Sequence, residues 1–233
     1  MSVPILLYHQ IDIPPRHKSP FRSMTVHPDR FRNQMAWLKR LGFQGLSLKD
    51  ALPYIYGQKT GKVAVITFDD GFENVLRNAA PVLHEHGFTA TNFFVANQVG
   101  GSNLWDQPGG VLPASCMDVA QLREWAKLGH EVGSHTLDHI FLPDADAGEA
   151  ARQMTQSREK LQDMLGAAVT SFAYPYGGEN AVVRQIAAEA GYDHAVTTEK
   201  RRTDANDDPF GIPRFTIRRN DIMLQFLRKL LIG

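Results

Sequence analysis

The chain has one cysteine, no net charge and no long apolar run. Each absence excludes something. Cys116 alone cannot form an intramolecular disulfide, so no disulfide framework is expected and the chain is compatible with a reducing compartment. Twenty-five Lys and Arg balance twenty-five Asp and Glu over 233 residues. Such a chain has no basic field to neutralise phosphates, so nucleic acid is not an expected partner. No stretch reaches the roughly 18 apolar residues that a membrane span requires. Residues 2–8 (SVPILLY) are apolar, but no Lys or Arg precedes them and the run stops at His9. They read as a first buried strand and not as a secretory leader. The expectation is a soluble, cytoplasmic protein, although a chain with its leader removed would look the same. Internal repeats, low-complexity tracts and long linkers are also missing. One domain spanning residues 1–233 follows, long enough for a sizeable core.

What is present is an alternation of short apolar runs and amphipathic stretches. Strands are expected at 3–8, 63–68, 90–95, 131–133, 170–173, 194–197 and 213–217, each short and bounded by Gly, Asp or Pro. Helices are expected at 28–41, 74–86, 118–128, 146–165, 179–190 and 220–231. The first begins at Pro28-Asp29 and sets Phe31, Met35, Leu38 and Leu41 on one face. Five of these helices stop at a glycine (Gly42, Gly87, Gly129, Gly166, Gly191). Repeated αβ units of this kind build a parallel sheet, and about seven strands suit a closed or nearly closed barrel. In such barrels chemistry sits on the loops after the strands. The last helix gathers Ile222, Leu224, Phe226, Leu227, Leu230 and Leu231, with Arg228 and Lys229 beside them. Packing on the barrel is expected, with docking to a membrane surface as the alternative.

Three segments carry chemistry, and each falls just after an expected strand. Asp69-Asp70-Gly71 places two carboxylates at a strand end, where the chain turns and both can face one mouth. Taken alone, the pair reads first as a helix N-cap. His135 and His139, four apart, share a face if they form a helical turn. Taken alone, they read first as a surface or capping pair. Together with Asp70 they make a two-His, one-carboxylate set with open positions for water and substrate, and Asp69 remains as a base. Zinc is the expected ion; the same set accepts Fe, Co or Ni. Tyr174-Pro175-Tyr176-Gly177-Gly178 is either a turn or a wall of the site that offers a backbone N–H to an oxyanion.

The runs TFDDG (67–71), GHEVGSHTLDH (129–139) and FAYPYG (172–177) resemble the NodB-type polysaccharide deacetylases, carbohydrate esterase family four. Leu7-Tyr8-His9, the helix at 28–41 and PVLHEHGFTATNFFV (81–95) resemble the branch that holds the poly-N-acetylglucosamine deacetylases. The resemblance covers residues 3–200. It implies a distorted (β/α)7–8 barrel, Asp69 as catalytic base, Asp70, His135 and His139 as metal ligands, and Tyr176 as a site wall and oxyanion donor. It implies hydrolysis of an N-acetyl group, with a protonated acid serving the leaving amine.

Two departures from the family pattern stand out. An Arg that many members carry in the third run is Ala173 here, and Arg214 or Arg218 is expected to supply its charge. No histidine follows His194, so the late histidine that serves as acid in many members is missing. The poly-N-acetylglucosamine branch places that histidine early, which points to His9, with His194 second. His130 reads as structural, and His17, His27, His84 and His86 as loop or helix-surface residues. Trp105 and Asp106 lie in a long Gly- and Pro-rich loop, where Trp105 would stack on a sugar or pack on the rim. Residues 12–25 form a second candidate substrate loop.

The expected activity is metal-dependent removal of N-acetyl groups from N-acetylhexosamine units of a glycan or glycolipid. The alternatives are an esterase or deformylase acting on another acylated sugar, and a catalytically silent sugar-binding scaffold.

Overall fold

Short buried runs become strands because their neighbours on both faces are apolar. In the computed structural model, which describes residues 2–232, ten strands form. They are β1 (Ile5–Tyr8), β2 (Gln10–Ile11), β3 (Thr25–Val26), β4 (Gln44–Leu46), β5 (Val63–Phe68), β6 (Thr91–Phe94), β7 (Glu131–Ser134), β8 (Ser171–Ala173), β9 (His194–Val196) and β10 (Phe215–Thr216). Eight helices accompany them: α1 (Pro28–Arg40), α2 (Leu48–Ile55), α3 (Glu73–Asn78), α4 (Ala80–His86), α5 (Val119–Lys127), α6 (Ala147–Leu165), α7 (Ala181–Glu189) and α8 (Met223–Leu231).

The main sheet runs β10-β1-β5-β6-β7-β8-β9, with every pair parallel. β4 lies along the first half of β5 and β6 along the second half. The sheet curls until its ends meet. Thr197 N–H donates to the Ile212 carbonyl at 2.8 Å, and Ile212 N–H to Ala195 at 3.0 Å, joining β9 to the segment that enters β10. β2 and β3 pair separately beside the mouth.

Each expected strand is present within two residues of its expected bounds. The sequence reading missed β4, three residues long with Gly45 at its centre, and α2, which carries Pro53 inside its eight residues. The single helix expected over 74–86 is two helices, α3 and α4, meeting at Ala79. Pro81 has no N–H to continue α3 and sits in the first turn of α4, where none is needed.

Alternation along the strands separates two apolar layers. Ile5, Val63, Val65, Phe93, Ala173, Val196 and Ile212 face one another inside the barrel, and Leu48, Ala51 and Ile55 of α2 close its lower end. Leu6, Ile66, Phe68, Phe94 and Phe172 face outward to the helices. Gly133 lets the Phe93 ring lie across its backbone; a Cβ there would stand 2.4 Å from the ring. A polar layer lies among the lower strand ends. Glu131 accepts from Thr91 Oγ1 (2.7 Å), Lys49 N–H (2.9 Å) and Ser171 Oγ, and Ser171 Oγ meets His194 Nε2 at 2.7 Å. α8 packs through buried Phe226 and Leu230, with Met223 and Leu227 partly buried against the same core; Ile222, Leu224 and Leu231 are exposed. No helix among the described residues is long and apolar enough to cross a membrane.

Candidate active site and metal centre

Strand parity decides which way Asp69 points. Val63, Val65 and Thr67 face the barrel interior, and Asp69 continues that series at the upper end of β5. Asp70 would face outward, but its φ of 77° and the φ of 72° at Gly71 turn the chain so that it joins the mouth. Only glycine fits the second position easily: a Cβ at Gly71 would stand 2.6 Å from the Phe94 ring.

Both oxygens of Asp69 are held by Arg214. Nη1 donates to Oδ1 at 2.7 Å and Nη2 to Oδ2 at 2.8 Å. Arg214 is 0% exposed, and two further donors go to the Thr197 carbonyl (2.9 Å) and Thr67 Oγ1 (3.2 Å). Burial alone would raise the Asp69 carboxyl, but Arg214 and, behind it, His135 outweigh that and lower it. Ala173, where the family resemblance implies an arginine, has another part here. Its carbonyl meets His135 Nδ1 at 2.7 Å, which puts the proton on Nδ1 and leaves Nε2 as a lone pair facing Asp70. Burial holds His135 down to about 4, so it is neutral near pH 7.

The segment from His135 to His139 is not the helical turn expected from its spacing. It is a loop with Thr136 at φ 67° and His139 at φ 61°. Two left-handed residues fold the chain back and bring the imidazoles together at 4.8 Å. Thr136 Oγ1 accepts from His139 N–H (2.9 Å). Gln153 of α6, 1% exposed, accepts from both Leu137 N–H and Asp138 N–H at 3.0 Å and donates to Asp138 Oδ2 at 2.8 Å. The sequence reading missed Gln153. Its signal was a glutamine in the buried stripe of α6, among Ala150, Met154 and Leu161.

Asp70 Oδ1 lies 3.6 Å from His135 Nε2 and 3.3 Å from His139 Nε2, and it is a buried oxygen with no hydrogen-bond partner. Two ligands about 2.0–2.1 Å from one tetrahedral ion stand about 3.4 Å apart, so the three side chains fit a divalent cation. Burial would raise the Asp70 carboxyl, but the facing His139, then His9 and His135, hold it at about 2. His139 Nδ1 has no hydrogen-bond partner. Its ring is held by aromatics instead: stacked on Trp105 at 4.8 Å and met edge-on by Tyr176 at 4.6 Å. One face of Trp105 is therefore occupied by an imidazole. Tyr176, half exposed, has φ 59°, an uncommon conformation for a residue with a side chain.

These groups open into a cleft of about 550 Å³ lined by His9, Asp69, Asp70, Asp106, His135, His139 and Tyr176. His9 Nδ1 is buried with no hydrogen-bond partner. Asp106 is raised by burial and by the Asp70 charge. Arg218 lines the cleft and is exposed. His194 lies at the opposite end of the barrel, in the polar layer with Ser171, and is absent from the cleft lining. His130 is buried against Trp125, with ring centroids 4.1 Å apart.

Residues 56–195 match the family model described as polysaccharide deacetylase. The chain belongs to that family. Members of the polysaccharide deacetylase family are metal-dependent hydrolases, in keeping with the Asp70, His135 and His139 cluster. This deacetylase-family chain is 28% identical over 218 residues to YxkH of Bacillus subtilis (strain 168), covering 93% of this chain and 71% of that protein. It is 26% identical over 206 residues to the poly-beta-1,6-N-acetyl-D-glucosamine N-deacetylase of Staphylococcus aureus (strain MSSA476), covering 84% and 69%. Its fold matches that of the Streptococcus pyogenes deacetylase PplD, solved in complex with acetate, with a TM-score of 0.86 and 25% identity over 99% of this chain and 98% of that one.

Proposed function

We propose that this protein removes N-acetyl groups from N-acetylhexosamine units, with Asp70, His135 and His139 holding a zinc ion. The observation that carries this reading is the pairing of Asp69 with Arg214 beside an unpartnered Asp70 oxygen aimed between two imidazole nitrogens. The names of the Staphylococcus aureus and Streptococcus pyogenes relatives support the reaction class.

When bound, a divalent cation there acts as a Lewis acid toward an amide carbonyl and acidifies water. The protein's own residues do the rest. Asp69 takes a proton from the attacking water. Arg214 keeps its carboxylate charged, and a carboxylate has lone pairs to spare beyond those the guanidinium takes. The Tyr176 N–H donates to the oxyanion that develops on the former carbonyl. His9, on the chain just past β1, gives a proton to the amine as the C–N bond breaks. Acetate and a free amino sugar leave.

The test is acetate release from N-acetylglucosamine oligomers by metal-stripped protein, then with Zn, Co or Ni restored, beside Asp69→Asn. Metal-restored release that Asp69→Asn lacks, with its metal content unchanged, is the expected result. A variant as active as the parent would remove Asp69 from the reaction.

A further inference from the structure

The lining of the cleft above Asp69 and Asp70 is polar in part and apolar in part. Asp106, Tyr176, Lys200 and the Asp12–Arg77 ion pair are among its polar members. Two of its loops approach closely, such that a side chain at Gly110 would touch Pro20 at 3.9 Å. These loops turn Ile13, Phe21 and Leu112 toward the cavity, and leave them 74%, 52% and 56% exposed. Single exposed apolar side chains are ordinary on a protein surface, but three lining one cavity, on two loops that meet, mark a binding surface.

Phe21 adds a second observation. It holds φ 52°, a conformation that costs a bulky residue free energy and persists only where its surroundings impose it. The loop does impose it: Asp12 N–H bonds to Val26 (3.1 Å), Arg22 Nε to Pro15 (2.6 Å) and Met24 N–H to Phe21 itself (2.8 Å). A strained backbone thus presents an aromatic ring to water at the edge of the catalytic cleft.

A sugar ring needs hydroxyl partners along its edge. Side chains such as Ile13 and Leu112 offer none and lose free energy by staying wet. We propose that this shelf binds a hydrocarbon arm attached to the N-acetylated sugar, so that the substrate class is an amphiphilic glycoside. The inference rests on the deacetylase reading above, since the shelf is continuous with that cleft. The sugar's acetamide reaches Asp69 and Asp70 while its aglycone lies across Ile13, Phe21 and Leu112.

The test uses alkyl β-glycosides of N-acetylglucosamine, methyl through octyl, below their micelle concentrations, with the zinc-loaded protein. Acetate release gives kcat/KM, and calorimetry gives binding. The expected result is a gain of roughly three- to fourfold per methylene placed on the shelf. Within the double variant Ile13→Ser/Leu112→Ser, the octyl-to-methyl ratio should collapse toward one. Equal binding of methyl and octyl glycosides by the parent protein would overturn the shelf whatever the turnover. A chain-length gain that survives in the double variant would also overturn it. Chain-length-dependent binding with no acetate release from glycosides or oligomers would keep the shelf and sink the deacetylase reading.

Discussion

Arg214 holds Asp69 by a two-pronged ion pair, 2.7 and 2.8 Å long, across 145 residues of sequence. The pair joins the end of β5 to the segment entering β10 across the intervening β1, and it sets the carboxylate proposed as base. Planar, two-point holding of a carboxylate is a property of guanidinium that an ammonium does not share.

Arg214→Lys should therefore not rescue function. We expect turnover to fall about 10- to 100-fold with metal content unchanged, and Arg214→Met to lose a further about 3–5 kcal/mol of stability by leaving Asp69 buried and unpaired. Acetate-release kinetics and urea melts read the two effects separately. Parental kcat in the Lys variant would remove the orienting role.

Gln153 should act on metal affinity at a distance. Gln153→Leu keeps the packing but strips acceptors from Leu137 N–H and Asp138 N–H, which shape the loop that carries His139. The expected loss in metal affinity is about 10- to 100-fold. Gln153→Glu should also fail, because its second oxygen would replace a donor that now lies 2.8 Å from Asp138 Oδ2 and 3.0 Å from Glu149 Oε1. Cobalt titration followed by visible absorption checks both; parental affinity in both variants would reduce Gln153 to a packing residue.

Metal should stabilise the fold in proportion to its occupancy. At about 100 times the dissociation constant, zinc should add about 2.7 kcal/mol. Asp69→Asn should keep this gain and Asp70→Asn should lose most of it. Thermal melts across a metal titration distinguish them, and an undiminished gain in Asp70→Asn would place the ion elsewhere.

Acid should weaken the fold through His130. Burial, and behind it the His84 charge, holds its imidazole down to about 4 from an ordinary 6.5. Below pH 6.5 the unfolded chain takes a proton that the folded chain refuses, so stability falls as pH drops toward 4 and is unaffected by this group above 6.5. The loss from His130 alone is about 3 kcal/mol. Urea melts on either side of that window should show a shallower acid slope in His130→Gln; an unchanged slope would mean that His130 takes its proton without unfolding.

The strand runs were legible because they are short, apolar and bounded by glycine or aspartate, and the helices because their glycines end them. β4 was not, since Gln44-Gly45-Leu46 has no apolar pattern; its place comes from pairing with β5. α2 was hidden by Pro53, and its Leu48, Ala51 and Ile55 become core only because the barrel has an end to close. The two-helix division of 74–86 was signalled by Pro81 and overlooked.

The sequence by itself determined the chemistry available: adjacent carboxylates after a buried strand, two imidazoles four apart, and a single family pattern containing both. Residue type and spacing along one strand or loop are local properties, and these motifs are local. Only the tertiary structure decided that Arg214, rather than Arg218, grips Asp69, that His194 lies at the far end of the barrel from His9, and that Gln153 shapes the His139 loop. It also decided that Ile13 and Leu112 line one cleft. Each of these joins residues far apart in the chain, and closure of the sheet sets their distances.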